Sequence, residues 1–320
     1  MKTILSRKLI ACVLLGLYPV LGSAAALAQS CSSQSGVSIQ VLGSGGPIAD
    51  DGRASSGYLV WRDGKARVLV DLGGGAILRF AQSGASFSDL DAIVLTHLHA
   101  DHSAGLPALL KSGYFANRSR SLALAGPAAG GNKNVHFPSL DEYLASMLQT
   151  GSGAYQYLDG YLSGKGGMPL LKLTTVANDL GERAAVEVEG ARGGIYIEAM
   201  AVSHGPVPAL AYRIEVDDRV VVFAGDQDGR TDAFVDFAQA ADLLVLHMPI
   251  PETAGSGARA LHAPPSSLGE IAAEAKAKRV LLSHFMARSL ADLPGNAALV
   301  ESVFAAQVDV AEDLSCFSLD

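Results

Sequence analysis

The chain has 320 residues, 49% of them apolar and 18% charged, enough to bury a full core and too balanced for a disordered or fibrous protein. With 24 Lys and Arg against 32 Asp and Glu the net charge is −8, so no electrostatic footprint favours nucleic acid or an anionic membrane surface. The first element along the chain stands apart from any fold. Lys2, Arg7 and Lys8 form a basic start, residues 9–21 an apolar stretch, and Ala26-Leu27-Ala28 a small-residue site before Gln29, the anatomy of a secretory signal. The apolar stretch is short for a bilayer span; an uncleaved anchor helix and a lipid on Cys31 are the alternatives. The expectation is therefore a signal peptide over 1–28, a mature domain over 29–320, a periplasmic or secreted location and no stable membrane insertion after cleavage. Cleavage would leave 21 basic against 32 acidic residues, a net −11.

Of three cysteines, Cys12 would leave with the signal, and Cys31 and Cys316 sit near the two ends of what remains. In an exported chain they read as one disulfide tying the termini, or as two free thiols if the ends do not meet.

The body intermixes short β-rich runs with helical stretches. The spacing predicts strands over Val37–Leu42, Gly57–Trp61 and Ala66–Asp71, then Ala92–Thr96, Leu122–Ala125, Ile195–Val202, Leu210–Val216, Arg219–Phe223, Leu243–Leu246 and Arg279–Leu282. Helices are expected over Ala76–Gln82, Leu106–Lys111, Leu140–Leu148, Thr231–Gln239, Leu268–Ala277 and Ala297–Ala306. Such intermixing implies an α/β arrangement of layers. The Gly-rich segment 126–194, with Tyr155, Tyr157 and Tyr161, reads as an insertion laid over the core.

The chemistry lies in the histidines. Three of the eight fall within Thr96-His97-Leu98-His99-Ala100-Asp101-His102, directly after a predicted strand. A strand ending in a loop that carries three imidazoles and a carboxylate aims several nitrogen and oxygen ligands at one point. His204, Asp226 and His284 likewise each follow a predicted strand, which puts them on the rim where open α/β sheets bind ligands.

With these motifs the chain resembles the metallo-β-lactamase superfamily, and within it the ribonuclease Z-like and phosphodiesterase-like branch. The likeness starts at Leu42-Gly43-Ser44-Gly45-Gly46-Pro47, continues through Arg53 to Ser56 and Val70-Asp71-Leu72-Gly73, and peaks at the histidine motif with Gly105-Leu106-Pro107. It resumes at Leu124 to Pro127, Ser203-His204, Ala211-Tyr212-Arg213, Ala224-Gly225-Asp226 and Leu282-Ser283-His284-Phe285. The resemblance implies a four-layer αββα sandwich with an inserted lid, and a metal-dependent hydrolase. It implies two divalent ions: His97, His99 and His204 would hold one, Asp101, His102 and His284 the other, and Asp226 would bridge them. Such a pair shares a water whose pKa falls toward neutrality, making it the nucleophile. Five imidazoles and two carboxylates without sulfur suit zinc first, with manganese or iron also compatible.

Other residues carry over from the same resemblance. Asp71 matches a position that hydrogen-bonds a ligand imidazole more often than it binds metal. His262 stands 22 residues before His284, like a ribonuclease Z histidine that pairs with a glutamate to protonate the leaving group. Here His247 occupies the glutamate's position, so a His262–His247 pair is the candidate proton donor, with second-shell packing as the alternative. Arg288 is a candidate for holding an anionic oxygen, and His136 has no matching role. The bridging carboxylate argues against antibiotic hydrolysis. It points to a small phosphodiester or aryl sulfate, with a lactone or carboxylic ester as the alternative on the same metals and a non-catalytic metal-binding module as the third. Lys133, Lys165 and Lys172 are scattered through 126–194, unlike the basic arm with which ribonuclease Z grips RNA. No nucleic acid is expected, and a homodimer is compatible with the sequence.

Overall fold

Apolar runs of alternating character need two different surfaces to bury against, and this chain builds both. In the computed structural model, which describes residues 31–188, 194–230 and 232–320, two seven-stranded sheets stack face to face. The expected signal peptide over 1–28 lies outside the described residues. Across the first sheet the strands run Cys316–Ser318, Val37–Gly43, Gly57–Arg62, Lys65–Leu72, Ala92–Val94, Leu122–Pro127 and Leu171–Val176. Across the second they run Gln307–Val310, Arg279–Ser283, Leu243–His247, Arg219–Phe223, Val207–Val216, Ile195–His204 and Arg183–Val186. Each sheet is antiparallel on one side and parallel on the other.

Strand periodicity divides the side chains between layers. Val68 and Val70 face the second sheet, in one core with Leu210, Tyr212 and Leu281. Leu69 points the other way, into a second core with Phe80, Leu109 and Leu144 from the helices Ala76–Gln82, Leu106–Gly113 and Leu140–Leu148. Phe234, Ile271 and Val300, from Asp232–Phe237, Pro265–Glu274 and Leu293–Glu301, cover the far face of the second sheet. The result is the expected helix–sheet–sheet–helix sandwich.

The segment 126–194 departs from its reading as an insertion. Leu171–Val176 pairs in parallel with Leu122–Pro127 as the first sheet's edge, and Arg183–Val186 pairs with Ile195–His204 as the second's. Among the described residues of the segment, 128–170 form the longest stretch outside the two sheets. There the small hairpin Gly130–Asn132 and Val135–Phe137 precedes the helix Leu140–Leu148, whose start is fixed by a Ser139–Glu142 capping box. An aromatic lid over the metal centre is not what the tyrosines form. Tyr161 is fully buried in the outer core, donating its hydroxyl to the Leu110 carbonyl at 2.7 Å. Tyr155 and Tyr157 are exposed and lie edge-on to each other, with the Lys111 ammonium over Tyr157. The apolar face of the helix requires burial against the first sheet, and of the three tyrosines only Tyr161 joins it there. The candidate for a wall over the centre is instead the hairpin's Phe137, which with Pro138, Val207 and Pro208 bounds a small space beside His99.

Cys31 and Cys316 do meet. Cys316 sits across from Gln40 on the first strand, and its disulfide to Cys31 spans 285 residues with a Cα separation of 5.6 Å.

Candidate metal centre

The histidine motif occupies a strand-to-helix transition. After Ala92–Val94 the chain bends at Thr96 and again at His99 and then makes a single helical turn, Ala100–Ser103. His97 and His99, two residues apart before that turn, bring Nε2 and Nδ1 together, whereas Asp101 and His102 lie on the turn itself. From the opposite sheet His204 ends its strand, His284 follows Ser283 with φ +57°, and Asp226 follows Gly225. Gly225 has φ +62°, and a Cβ there would stand 2.5 Å from the Leu210 carbonyl oxygen, so only glycine lets the chain turn Asp226 inward.

The seven expected ligand residues converge in two groups. The ligand atoms of His97, His99 and His204 lie mutually within 4.8 Å, as do those of Asp101, His102 and His284. His97 Nε2 and His99 Nδ1 are 3.0 Å apart, and His102 Nε2 and His284 Nε2 are 3.1 Å apart. Between the groups lies Asp226: its Oδ2 is 4.0 Å from His97 Nε2, 3.8 Å from His102 Nε2 and 3.7 Å from His204 Nε2, and its Oδ1 is 3.4 Å from His284 Nε2. All are buried except His99, which is half-buried.

Hydrogen bonds at the backs of the rings select which nitrogens face the centre. His204 Nδ1–H donates to the Leu261 carbonyl at 2.9 Å, leaving Nε2 as the inward lone pair. His102 Nδ1 donates to Asp71 Oδ2 at 2.8 Å. Asp71 itself accepts from the Thr96 amide at 2.7 Å and the Thr96 hydroxyl at 2.8 Å, so it supports a ligand imidazole, as its position implied. Such outer partners fix both tautomer and aim. Thr96 was not legible as a supporting group, because a threonine at a strand end carries no distinguishing pattern.

His247 and His262 do not form the expected pair. His247 ends the strand Leu243–His247, with Nδ1 on Asp226 Oδ1 at 2.6 Å and Nε2 3.2 Å from the Tyr58 hydroxyl. Both of its ring nitrogens are therefore engaged elsewhere. His262, also buried, places Nδ1 3.9 Å from Asp226 Oδ2 and has no hydrogen-bond partner for that atom. Arg288 is exposed on a short helix, donating from Nε to the Pro249 carbonyl at 2.9 Å. His136 is exposed too, 3.1 Å from Glu142.

The electrostatics suit cations. Burial pushes His97 well below the ordinary histidine range and lowers His99, with His204 adding to the effect. Burial outweighs the Asp226 carboxylate at His247, lowered to about 4, and at His262, lowered to about 3. At Asp226 burial acts upward, but His284 and His102 overcome it and hold the carboxyl well below its usual value. His102 is the exception: burial is outweighed by Asp71 and Asp226, which hold it well above. Neutral imidazoles and ionised carboxylates are the protonation states a divalent ion requires, and the partnerless Nδ1 of His262 aimed at the cluster fits the same need.

A pH dependence follows for the metal-free protein. His97, His99, His247 and His262 are held toward the neutral form when folded, but the unfolded chain protonates them below ~6.5, so their contribution is lost as pH falls from there, toward about 4 for His247 and about 3 for His262. His102 works in the opposite sense, one against four. The thermal midpoint of the metal-free protein is expected to fall between pH 6.5 and 4. A flat profile across that interval contradicts the protonation states given above.

Comparison with known proteins places this geometry in context. A family model described as a beta-lactamase superfamily domain matches residues 66–285. Ribonuclease Z of Mycobacterium bovis is 33% identical over 218 residues, covering 65% of this chain and 68% of that protein. Ribonuclease Z of Haloferax volcanii is 29% identical over 310 residues, covering 85% and 92%. Among solved structures, the metallo-beta-lactamase fold protein YhfI from Bacillus subtilis superposes with a TM-score of 0.63 at 23% identity, over 88% of this chain and 99% of that one.

Proposed function

We propose that this chain, which belongs to the beta-lactamase superfamily and is a metal-dependent hydrolase, binds two divalent ions and hydrolyses a small phosphodiester or aryl sulfate after export. The observation that carries the reading is Asp226, whose carboxylate lies between two complete donor groups. His97, His99 and His204 would hold one ion and Asp101, His102 and His284 the other, with zinc the first choice for a nitrogen-and-oxygen set without sulfur. Ions bound there supply an activated water and neutralise charge developing on the ester's oxygens. A small substrate is supported by the space beside His204, a cavity of about 320 Å³ lined by residues such as Asn178, Ser203 and Pro208 and by no charged side chain. The relatives are named for a ribonuclease, but a polynucleotide needs a basic track, and this chain's net charge is −8. Side-by-side assays of the metal-loaded protein on p-nitrophenyl phosphodiester, p-nitrophenyl sulfate, acyl-lactones and precursor transfer RNA test the reading. Turnover of the first or second supports it; turnover confined to lactones or RNA overturns it.

Within the centre His262 is the residue that handles the leaving-group proton, because its Nδ1 is free and faces Asp226. Burial keeps it neutral, so its open Nδ1 would accept the proton that the attacking water loses and pass that proton to the departing oxygen. His262→Ala is expected to slow esters with poor leaving groups by ~10²–10⁴, while nitrophenolate esters, which depart without a proton, lose much less. Equal losses on both substrates remove His262 from this role.

A further inference from the structure

The hydrogen bonds of His247 assign it a task other than proton delivery, and this inference rests on Asp226 as the shared ligand. A carboxylate can only accept, so the 2.6 Å contact between His247 Nδ1 and Asp226 Oδ1 requires the proton on Nδ1. The neutral ring then has a lone pair at Nε2, 3.2 Å from the Tyr58 hydroxyl, whose single hydrogen is shared between that nitrogen and Ser283 Oγ at 2.8 Å. Tyr58 is 1% exposed and packs its ring on Phe223 at 5.4 Å, so it cannot swing away. The His247 ring is also stacked on His284, with centroids 4.6 Å apart and planes 14° apart. His247 thus meets the metal centre through Asp226 and His284, with its own ring nitrogen within 4.8 Å of their ligand atoms.

We infer that His247 is a positioning residue: held by Tyr58, it grips Asp226 Oδ1 and so aims Oδ2 at the midpoint between the two donor groups. Without that grip the carboxylate can rotate about its Cβ–Cγ bond and favour one group over the other. The functional element is a chain of contacts from Tyr58 to His247 to Asp226, buried along its whole length. Sequence reading passed over Tyr58, which looks like any inward aromatic on a strand.

The test measures zinc affinity by chelator competition and the visible spectrum of the cobalt-substituted protein, with circular dichroism to check folding. His247→Leu is expected to weaken zinc binding 10–100-fold, the usual effect of losing an outer partner, and to change the cobalt spectrum. His247→Asn, whose side-chain amide donates from a place close to Nδ1, should recover most of the affinity. Tyr58→Phe should weaken binding by an intermediate factor. Wild-type affinity in His247→Leu overturns the inference, and so does a loss that His247→Asn leaves unrepaired, since that marks His247 as a ligand. If His247→Leu does not fold, Tyr58→Phe decides: the inference requires weaker zinc binding at an unchanged fold. A wild-type protein that takes up no divalent metal instead refutes the two-metal reading beneath it, and the two failures are thus separable.

Discussion

Asp226→Ala is expected to reduce the metal content of the purified protein from about two divalent ions per chain to one or fewer, and to abolish turnover. The carboxylate is buried, lies between both donor groups, and is held ionised by the surrounding imidazoles. Its removal deletes a ligand from each group at once. The loss of activity should therefore exceed the ~100-fold that follows from removing an outer partner. His204→Ala, which strips one group and leaves the other whole, should likewise abolish turnover while retaining one ion. Elemental analysis decides the first half and a single ester assay the second. A metal-free wild-type protein, or full activity in either variant, would overturn the assignment.

The second large effect concerns stability. Reduction of the Cys31–Cys316 bridge, or Cys316→Ser, releases a loop of 285 residues, for which the chain-entropy model gives ~5–6 kcal/mol. For a domain of this size that corresponds to a fall of roughly 8–10 °C in the thermal midpoint. Activity at low temperature should not change, because the disulfide lies at the first sheet's edge and touches none of the metal-centre residues. Intact-mass measurement after alkylation without reductant establishes whether the bridge is present: two modified thiols on the mature protein would show that it is not. An unchanged midpoint after reduction would show that the bridge does not stabilise the fold.

What could be read from the sequence follows burial. Interior strands such as Ala66–Asp71 and Arg219–Phe223 present apolar runs that no turn or surface segment imitates, and they appear within a residue or so of their predicted bounds. Edge strands were missed. Gln307–Val310 is mostly half-exposed, and Leu171–Val176 is buried only at its two ends, with Lys and Thr between them, so neither has an apolar signature. The same limit explains the segment 126–194, where two edge strands were hidden among glycines. The histidine motif was legible because ligand residues cannot be exchanged for chemically similar ones. Tyr58 and Thr96 were not, since their roles depend on which ring nitrogen they face across the sandwich, and spacing along one chain does not encode a contact between sheets. The His262–His247 pairing failed for that reason: strand register puts His247 opposite Ser283, against Asp226 and Tyr58 rather than His262.

The division of the donors between the sheets has a thermodynamic consequence. His97 and His99 come from the first sheet and His204 from the second; Asp101 and His102 come from the first and His284 from the second. The disulfide, by contrast, joins the first sheet's edge strand to the segment just before its neighbour, so it reinforces one layer only. Ions held by such divided sets would clasp the two layers together, and would bind the native sandwich while the unfolded chain offers no comparable site. By mass action, free metal above its dissociation constant then deepens the native state logarithmically. Metal supply and folding become linked variables, so a chain starved of metal is held across its midplane by apolar contact and a few hydrogen bonds, such as those from the Tyr212 hydroxyl to the Leu95 carbonyl and from Tyr58 to Ser283.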